Sequence, residues 1–182
     1  MTHAERSFER VGCERVFESS FVAVDRLRVR YADGEQADRY VVRHPGAVGV
    51  VVLDGDAVLL VRQPREAIDD PDSLEIPAGK LDPGEDPLAC GVRELAEEIG
   101  KAATDWEPLR SFHPSVGMTD EVIHLFVASG LSDAHAEAEE DERIELVRWP
   151  LADLDGALAA TSDAKTIVGL LLLRERLRAR PA

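Results

Sequence analysis

The stretch from Gly79 to Gly100 constrains this chain more than any other, because it loads one short helix with negative charge. Asp86-Pro87 opens that helix, since aspartate is a good N-cap and proline suits the first helical position. Leu88, Val92, Leu95 and Ile99 follow at helical spacing, and Gly100 stands where a C′ glycine ends a helix. Glu94, Glu97 and Glu98 fall at i, i+3 and i+4 and share one face. The four apolar residues take the opposite stripe, which is expected to be buried. Like charges on adjacent turns destabilise an isolated helix by roughly 0.2–0.5 kcal/mol per pair. A fold tolerates such a face most readily when a cation neutralises it. Carboxylate oxygens at this density suit Mg²⁺, with Mn²⁺ as the alternative, better than zinc. Arg93 can hold one carboxylate by a bidentate pair, and Pro83-Gly84 lets the preceding loop bring Glu85 back toward the same face.

Composition narrows the partners. The 182 residues fit one domain or two small ones, and 21 basic against 36 acidic residues give a net charge of −15. Such a surface repels phosphate polymers, so nucleic acid is excluded as a partner. A small phosphorylated substrate remains open, because a divalent cation can bridge it. No apolar run approaches 18 residues, so no membrane span is expected. The polar start, Met1 to Arg10, has no signal core, and Cys13 and Cys90 are too few for a disulfide scaffold. A cytoplasmic location is expected.

Phe8 to Arg43 has the pattern of a separate strand meander, with Phe21, Ala23, Leu27, Val29 and Tyr31 partly alternating and Asp33-Gly34 at a turn. Ala47–Leu53 and Ala57–Val61 flank Asp54-Gly55-Asp56 as a hairpin. Arg62 to Ser73, polar and carrying Pro64 and Pro71, is expected to be a loop, and Leu74 to Pro77 a short strand. Further strands are expected near Trp106–Phe112, Val122–Ala128 and Ile144–Trp149. Pro150 to Leu158 should form a short helix, and Ser162 or Asp163 should cap a last one from Ala164 to about Arg178. Strands alternating with helices in this way point to a layered α/β (α+β) domain.

Gly79, Glu85, Arg93, Glu94, Glu97, Glu98 and Gly100 together resemble the Nudix box, the signature of hydrolases that cleave nucleoside diphosphates linked to another group. At about one in twenty per position, a chance match to these fixed residues is on the order of 10⁻⁷. One position departs: the residue after Gly100, usually bulky and apolar, is Lys101. The chain is also similar to the ADP-ribose pyrophosphatase branch at His44-Pro45-Gly46-Ala47-Val48, Leu59 to Gln63, Leu74 to Gly79, Asp120 to Phe126 and Asp163 to Thr166. The resemblance implies an α/β/α sandwich around a mixed sheet over 45–182. It also implies an N-terminal β extension over 1–44 that pairs two copies into a homodimer. The implied reaction is metal-dependent hydrolysis of a nucleoside diphosphate sugar, with ADP-ribose giving AMP and ribose 5-phosphate.

The same resemblance implies residue roles. Metal ligands are Glu94, Glu98, the Ala78 carbonyl and Glu97, with Glu85 as ligand or close neighbour. Arg93 orients the carboxylates. The general base in this branch often comes from a downstream loop, and the matching residue is Glu121 in Ser115 to Glu121; Glu97 is the alternative. Asp120 faces the other way if a strand has begun there. Arg65, Arg39 and Gly117 are candidates for substrate contact, although an ordinary surface arginine accounts equally well for Arg39 and Arg65. Where the branch carries proline, 16 residues past Gly100, this chain has Val116, with Pro114 two positions earlier. Another ADP-sugar, GDP-mannose or a dinucleotide therefore stay open as substrates. So do a non-catalytic ADP-ribose-sensing domain and an acidic scaffold protein.

Remaining features have plainer expectations. Glu137 to Glu142, five acids in six residues, is a solvated loop or a border of the metal site, with Glu140 or Glu142 as an outer ligand. His113 and His124 are expected to be structural, Cys90 packed, and Trp106 and Trp149 close to the core.

Overall fold

The computed structural model describes residues 7–19, 22–134 and 143–179. Phe21 and the acidic run Glu137 to Glu142 lie outside the described residues. The chain divides into two compact units. One comprises Met1–Pro45 and the later segment His113–Val122; the other comprises Gly46–Phe112 and Ile123–Ala182.

The first unit is an antiparallel sheet of β1 (Phe8–Glu18), β2 (Ala23–Tyr31) and β3 (Gln36–Arg43), in that order. Asp25, Leu27 and Val29 alternate along β2 and are buried. Asp25 would be costly there alone, but it accepts from Arg15 Nε (2.5 Å) on β1 and Arg43 Nε (2.8 Å) on β3. Those two guanidinium groups, Arg15 first, hold its carboxyl below the ordinary carboxylate range. Residues 113–122 return to this sheet. Val42 N–H donates to Met118 O (2.8 Å) and Asp120 N–H donates to Val42 O (3.3 Å).

The second unit is a seven-stranded mixed sheet. Its strands are β4 (Ala47–Asp54), β5 (Ala57–Arg65), β6 (Asp70–Glu75), β7 (Ala78–Lys80), β8 (Lys101–Phe112), β9 (Ile123–Asp133) and β10 (Glu145–Pro150). The main order is β10-β5-β4-β9-β8, with β6 paired to β5 and β7 to β4. Only the β4–β9 pairing is parallel among the described strands. Val48, Val50 and Val52 face one core with α1 (Pro87–Ile99), while Val51 faces another with α2 (Leu154–Ala160) and α3 (Ala164–Ala179). Both faces of β4 are covered, which is why its sequence is a continuous apolar run rather than an alternation. The helix–sheet–helix layering matches the expectation.

Two expectations need correction. Arg62 to Ser73 is not a loop: β5 runs to Arg65, a 3₁₀ turn spans Glu66–Ile68, and β6 begins at Asp70. The register shifts between Gln63 and Arg65, so Pro64, which has no N–H to give, falls where the ladder is irregular. On α1, Leu88 and Val92 are 39% and 45% exposed. The buried stripe is instead Cys90, Gly91, Glu94, Leu95 and Ile99, rotated toward the carboxylates. β9 starts at Ile123, close to the expected Val122, so the condition set for Asp120 is not met. The helix signals hold: Asp86 Oδ1 accepts from Leu88 and Ala89 N–H, and Gly100 closes α1 at φ +64°. Asp163, rather than Ser162, caps α3, accepting from Thr166 N–H at 2.9 Å.

Candidate active site

Each box residue has a traceable local cause. Pro83-Gly84 turns the chain so that Glu85 N–H donates to Asp82 O (3.0 Å) and Glu85 Oε2 accepts from Asp82 N–H (2.9 Å). Gly79 answers a volume demand: a Cβ there would stand 1.8 Å from Glu94 Oε1, so only glycine lets that carboxylate lie against β7. Ala78 N–H donates to Glu98 Oε2 (2.9 Å). Burial of Glu94 on α1 therefore follows from the helix docking its acidic face, not only its apolar one, on the sheet.

Arg93 is the centre of the arrangement. It holds three carboxylates where one was expected: Glu85 through Nε and Nη2 (3.0 and 3.1 Å), and Glu94 and Glu97 through Nη1 (2.8 and 2.9 Å). Its Nη2 also reaches Lys80 O (3.2 Å) and Cys90 Sγ (3.4 Å). Arg93, and then the Asp82 N–H, hold the Glu85 carboxyl at about 2. Burial, with Glu85 and Glu94 adding to it, pushes the Cys90 thiol up to about 12, so Cys90 is packed and inert as expected.

The donor set can be tested for a divalent cation. Glu85, Glu94 and Glu97 surround one guanidinium, Glu98 adds a fourth carboxylate on the Ala78 N–H, and carboxylate oxygens beside backbone carbonyls are hard donors. Among the described residues no three acidic, histidine or cysteine side chains already converge on one point. Glu85, Glu94 and Glu97 converge on Arg93 instead. In type and charge, the residues fit a hard cation.

A second ionic group was not anticipated. Glu75, 2% exposed between Leu74 and Ile76, accepts from Arg65 Nε and Nη2 (2.6 and 2.7 Å) and from Lys165 Nζ (2.5 Å). Burial opposes its charge, but Arg65 and Lys165 outweigh that and hold the carboxyl at about 2. Thr166 Oγ1 donates to Asp163 Oδ2 (2.6 Å) and accepts from Ile76 N–H (2.8 Å), tying the start of α3 to the strand that ends before Ala78. The available signal was an acid inside an apolar strand, which demands a cation. The candidate Arg65 is thus committed to Glu75.

The other candidates lie in the first unit. Arg39 sits over the Tyr31 ring (5.9 Å) and donates to its hydroxyl (2.8 Å). Gly117 is open, with no atom within 4 Å of where a Cβ would be, and Val116 beside it is 86% exposed. Asp120 Oδ2 accepts from Arg43 Nη1 (2.7 Å) and Oδ1 from His44 N–H (3.1 Å). Burial opposes ionisation of Asp120, yet Arg43 and the His44 N–H keep its carboxyl below the ordinary range. Glu121 Oε1 is 3.4 Å from His44 Nδ1. His113 Nδ1 meets Glu121 O (2.8 Å) and His124 Nδ1 meets Ser111 Oγ (2.9 Å), structural roles for both.

Known proteins agree with this architecture. The model of the NUDIX domain matches residues 43–169. A methanol dehydrogenase activator from Bacillus methanolicus is 38% identical over 91% of this chain and 92% of its own. An ADP-ribose pyrophosphatase from Bacillus subtilis is 35% identical over 91% and 93%. A solved ADP compounds hydrolase superposes with a TM-score of 0.85 at 26% identity, covering 97% of each chain. Signature residues, layered sheet and relatives together place the chain in the Nudix family.

Proposed function

We propose that this chain hydrolyses the diphosphate of a nucleoside diphosphate sugar, with ADP-ribose cleaved to AMP and ribose 5-phosphate. One observation carries the reading: three carboxylates share Arg93 and a fourth, Glu98, lies on the Ala78 N–H beside Gly79, a surplus of hard negative donors. The relatives named ADP-ribose pyrophosphatase support the choice of substrate.

Hydrolases of this family use divalent metal ions; here the ion is Mg²⁺, with Mn²⁺ as its substitute. When bound, it neutralises diphosphate oxygens and acidifies the attacking water. Glu94, Glu98, Glu97 and the Ala78 carbonyl would hold it. Arg93 keeps Glu85, Glu94 and Glu97 in place. Glu121 accepts the proton of the attacking water, as a general base on a loop does. Arg65, oriented by Glu75, contacts a substrate phosphate, while Arg39 and the open loop at Gly117 contact the nucleotide. Exposed Phe8, Val16, Phe17 and Tyr40 on the N-terminal sheet support pairing of two copies. Sedimentation velocity at rising concentration tests that pairing. No helix among the described residues is long and apolar enough to cross a membrane.

The deciding experiment incubates the protein with ADP-ribose, other ADP-sugars, GDP-mannose and dinucleotides, with Mg²⁺ or Mn²⁺, and identifies the products. AMP with ribose 5-phosphate is expected from ADP-ribose; no turnover of any of them overturns the reading. The activator relative favours a second reading, in which the chain acts on a partner dehydrogenase. That reading predicts raised dehydrogenase turnover when this chain is added, without the chain's own nucleotide hydrolysis.

A further inference from the structure

Residues 118–121 are fixed from three sides, although the tip at Val116 and Gly117 is open. Val42 brackets the segment with two backbone hydrogen bonds, to Met118 and from Asp120. Thr119 Oγ1 accepts from Glu121 N–H (3.0 Å), and the His113 ring takes Glu121 O. A line of alternating charges then crosses the whole sheet: Arg15 on β1, Asp25 on β2, Arg43 on β3 and Asp120 on the segment, at 2.5, 2.8 and 2.7 Å. It ends one residue before Glu121, whose carboxylate stands 3.4 Å from His44 Nδ1, and the His44 N–H holds Asp120. A surface loop with no chemical duty has no need of a buried carboxylate and two arginines to fix its register. A proton acceptor does, because a misplacement of about 1 Å costs on the order of 10²-fold in rate.

We infer that His44 and the Arg43–Asp120 pair are positioning residues that set the Glu121 carboxylate for proton transfer. The inference rests on the proposal that Glu121 is the general base.

Steady-state kinetics on ADP-ribose with Mg²⁺ test it, with thermal unfolding as the control for folding. Glu121→Gln should lower kcat by roughly 10²–10⁴-fold, the usual contribution of a general base. His44→Ala and Asp120→Ala should each lower kcat by roughly 10-fold or more, with KM within about twofold. His44→Asn, which keeps an N–H donor near the Nδ1 position, should recover most of the loss. In the Glu121→Gln background, His44→Ala should cost nothing further, because residues that act as one unit are not additive. Parental kcat in both alanine variants, alongside an impaired Glu121→Gln, overturns the positioning role and leaves the base standing. So does an additive double variant, or a change confined to KM. Full activity of Glu121→Gln overturns the base assignment and this inference together. If Asp120→Ala unfolds, the His44 variants decide.

Discussion

Two ionic groups in the larger unit are built from the same residue types with opposite balance. Around Glu75, one buried carboxylate meets Arg65 and Lys165 and is fully compensated. Around Arg93, one guanidinium is shared by Glu85, Glu94 and Glu97, with Glu98 on the neighbouring backbone N–H. A compensated group belongs to the fold, since removing a member leaves an unpaired buried charge. An undercompensated group costs the fold energy unless something cationic arrives. Charge balance, rather than acid count, separates the structural cluster from the one proposed to be reactive.

The comparison breaks most easily at Glu98. Glu98→Gln should lower kcat by more than about 10³-fold with the protein still folded, consistent with loss of one charged ligand at a metal-assisted site. Near-parental turnover would show that the undercompensated group does no chemistry. Glu75→Gln should act the other way round, destabilising the fold by about 3 kcal/mol in urea unfolding, because Arg65 and Lys165 lose the buried carboxylate they share and Lys165 keeps only Asp163. The Glu75 carboxyl lies below its unfolded value of about 4.5, at about 2. Its stabilisation is therefore complete above pH 4.5 and is lost as pH falls toward 2. Urea midpoints across that window should fall steeply in the parent and less in Glu75→Gln. Mg²⁺ at 100 times its Kd should stabilise the parent by about 2.7 kcal/mol and Glu98→Gln by far less, read as a shift in thermal midpoint. At the small end, Val92→Ser should change stability by no more than about 0.5 kcal/mol, since Val92 is half exposed. A larger loss would mean that α1 buries its apolar stripe after all.

Much of this was legible in the chain. Asp86-Pro87 and Gly100 bound α1 correctly, because capping is local chemistry. The spacing of Arg93, Glu94 and Glu97 placed them together, because a helix fixes i, i+3 and i+4 geometry, and the Pro83-Gly84 turn brought Glu85 to Arg93. Burial of α1 was misjudged through the same periodicity: Leu88 and Val92 look like core, but docking Glu94 on Gly79 rotates the helix away from them. Strand β6 was missed because Asp70 to Ser73 pair through backbone groups, and polar side chains carry no sign of that. The Glu75 group and the Arg15–Asp25–Arg43–Asp120 line were illegible for another reason. They join residues 10 to 90 positions apart, and no local pattern encodes such partners.

The return of residues 113–122 to the N-terminal sheet also governs how relatives can recombine. A chimera cut at Gly46 would keep every strand of the larger sheet and the whole of α1. It would still separate Asp120 and Glu121 from the Arg43 and His44 that they meet here. The N-terminal sheet and residues 113–121 belong to one compact unit despite the 68 residues between them, numbered 45–112. A crossover that respects the order of the chain but not this ownership would yield proteins that fold and yet lack their loop's register.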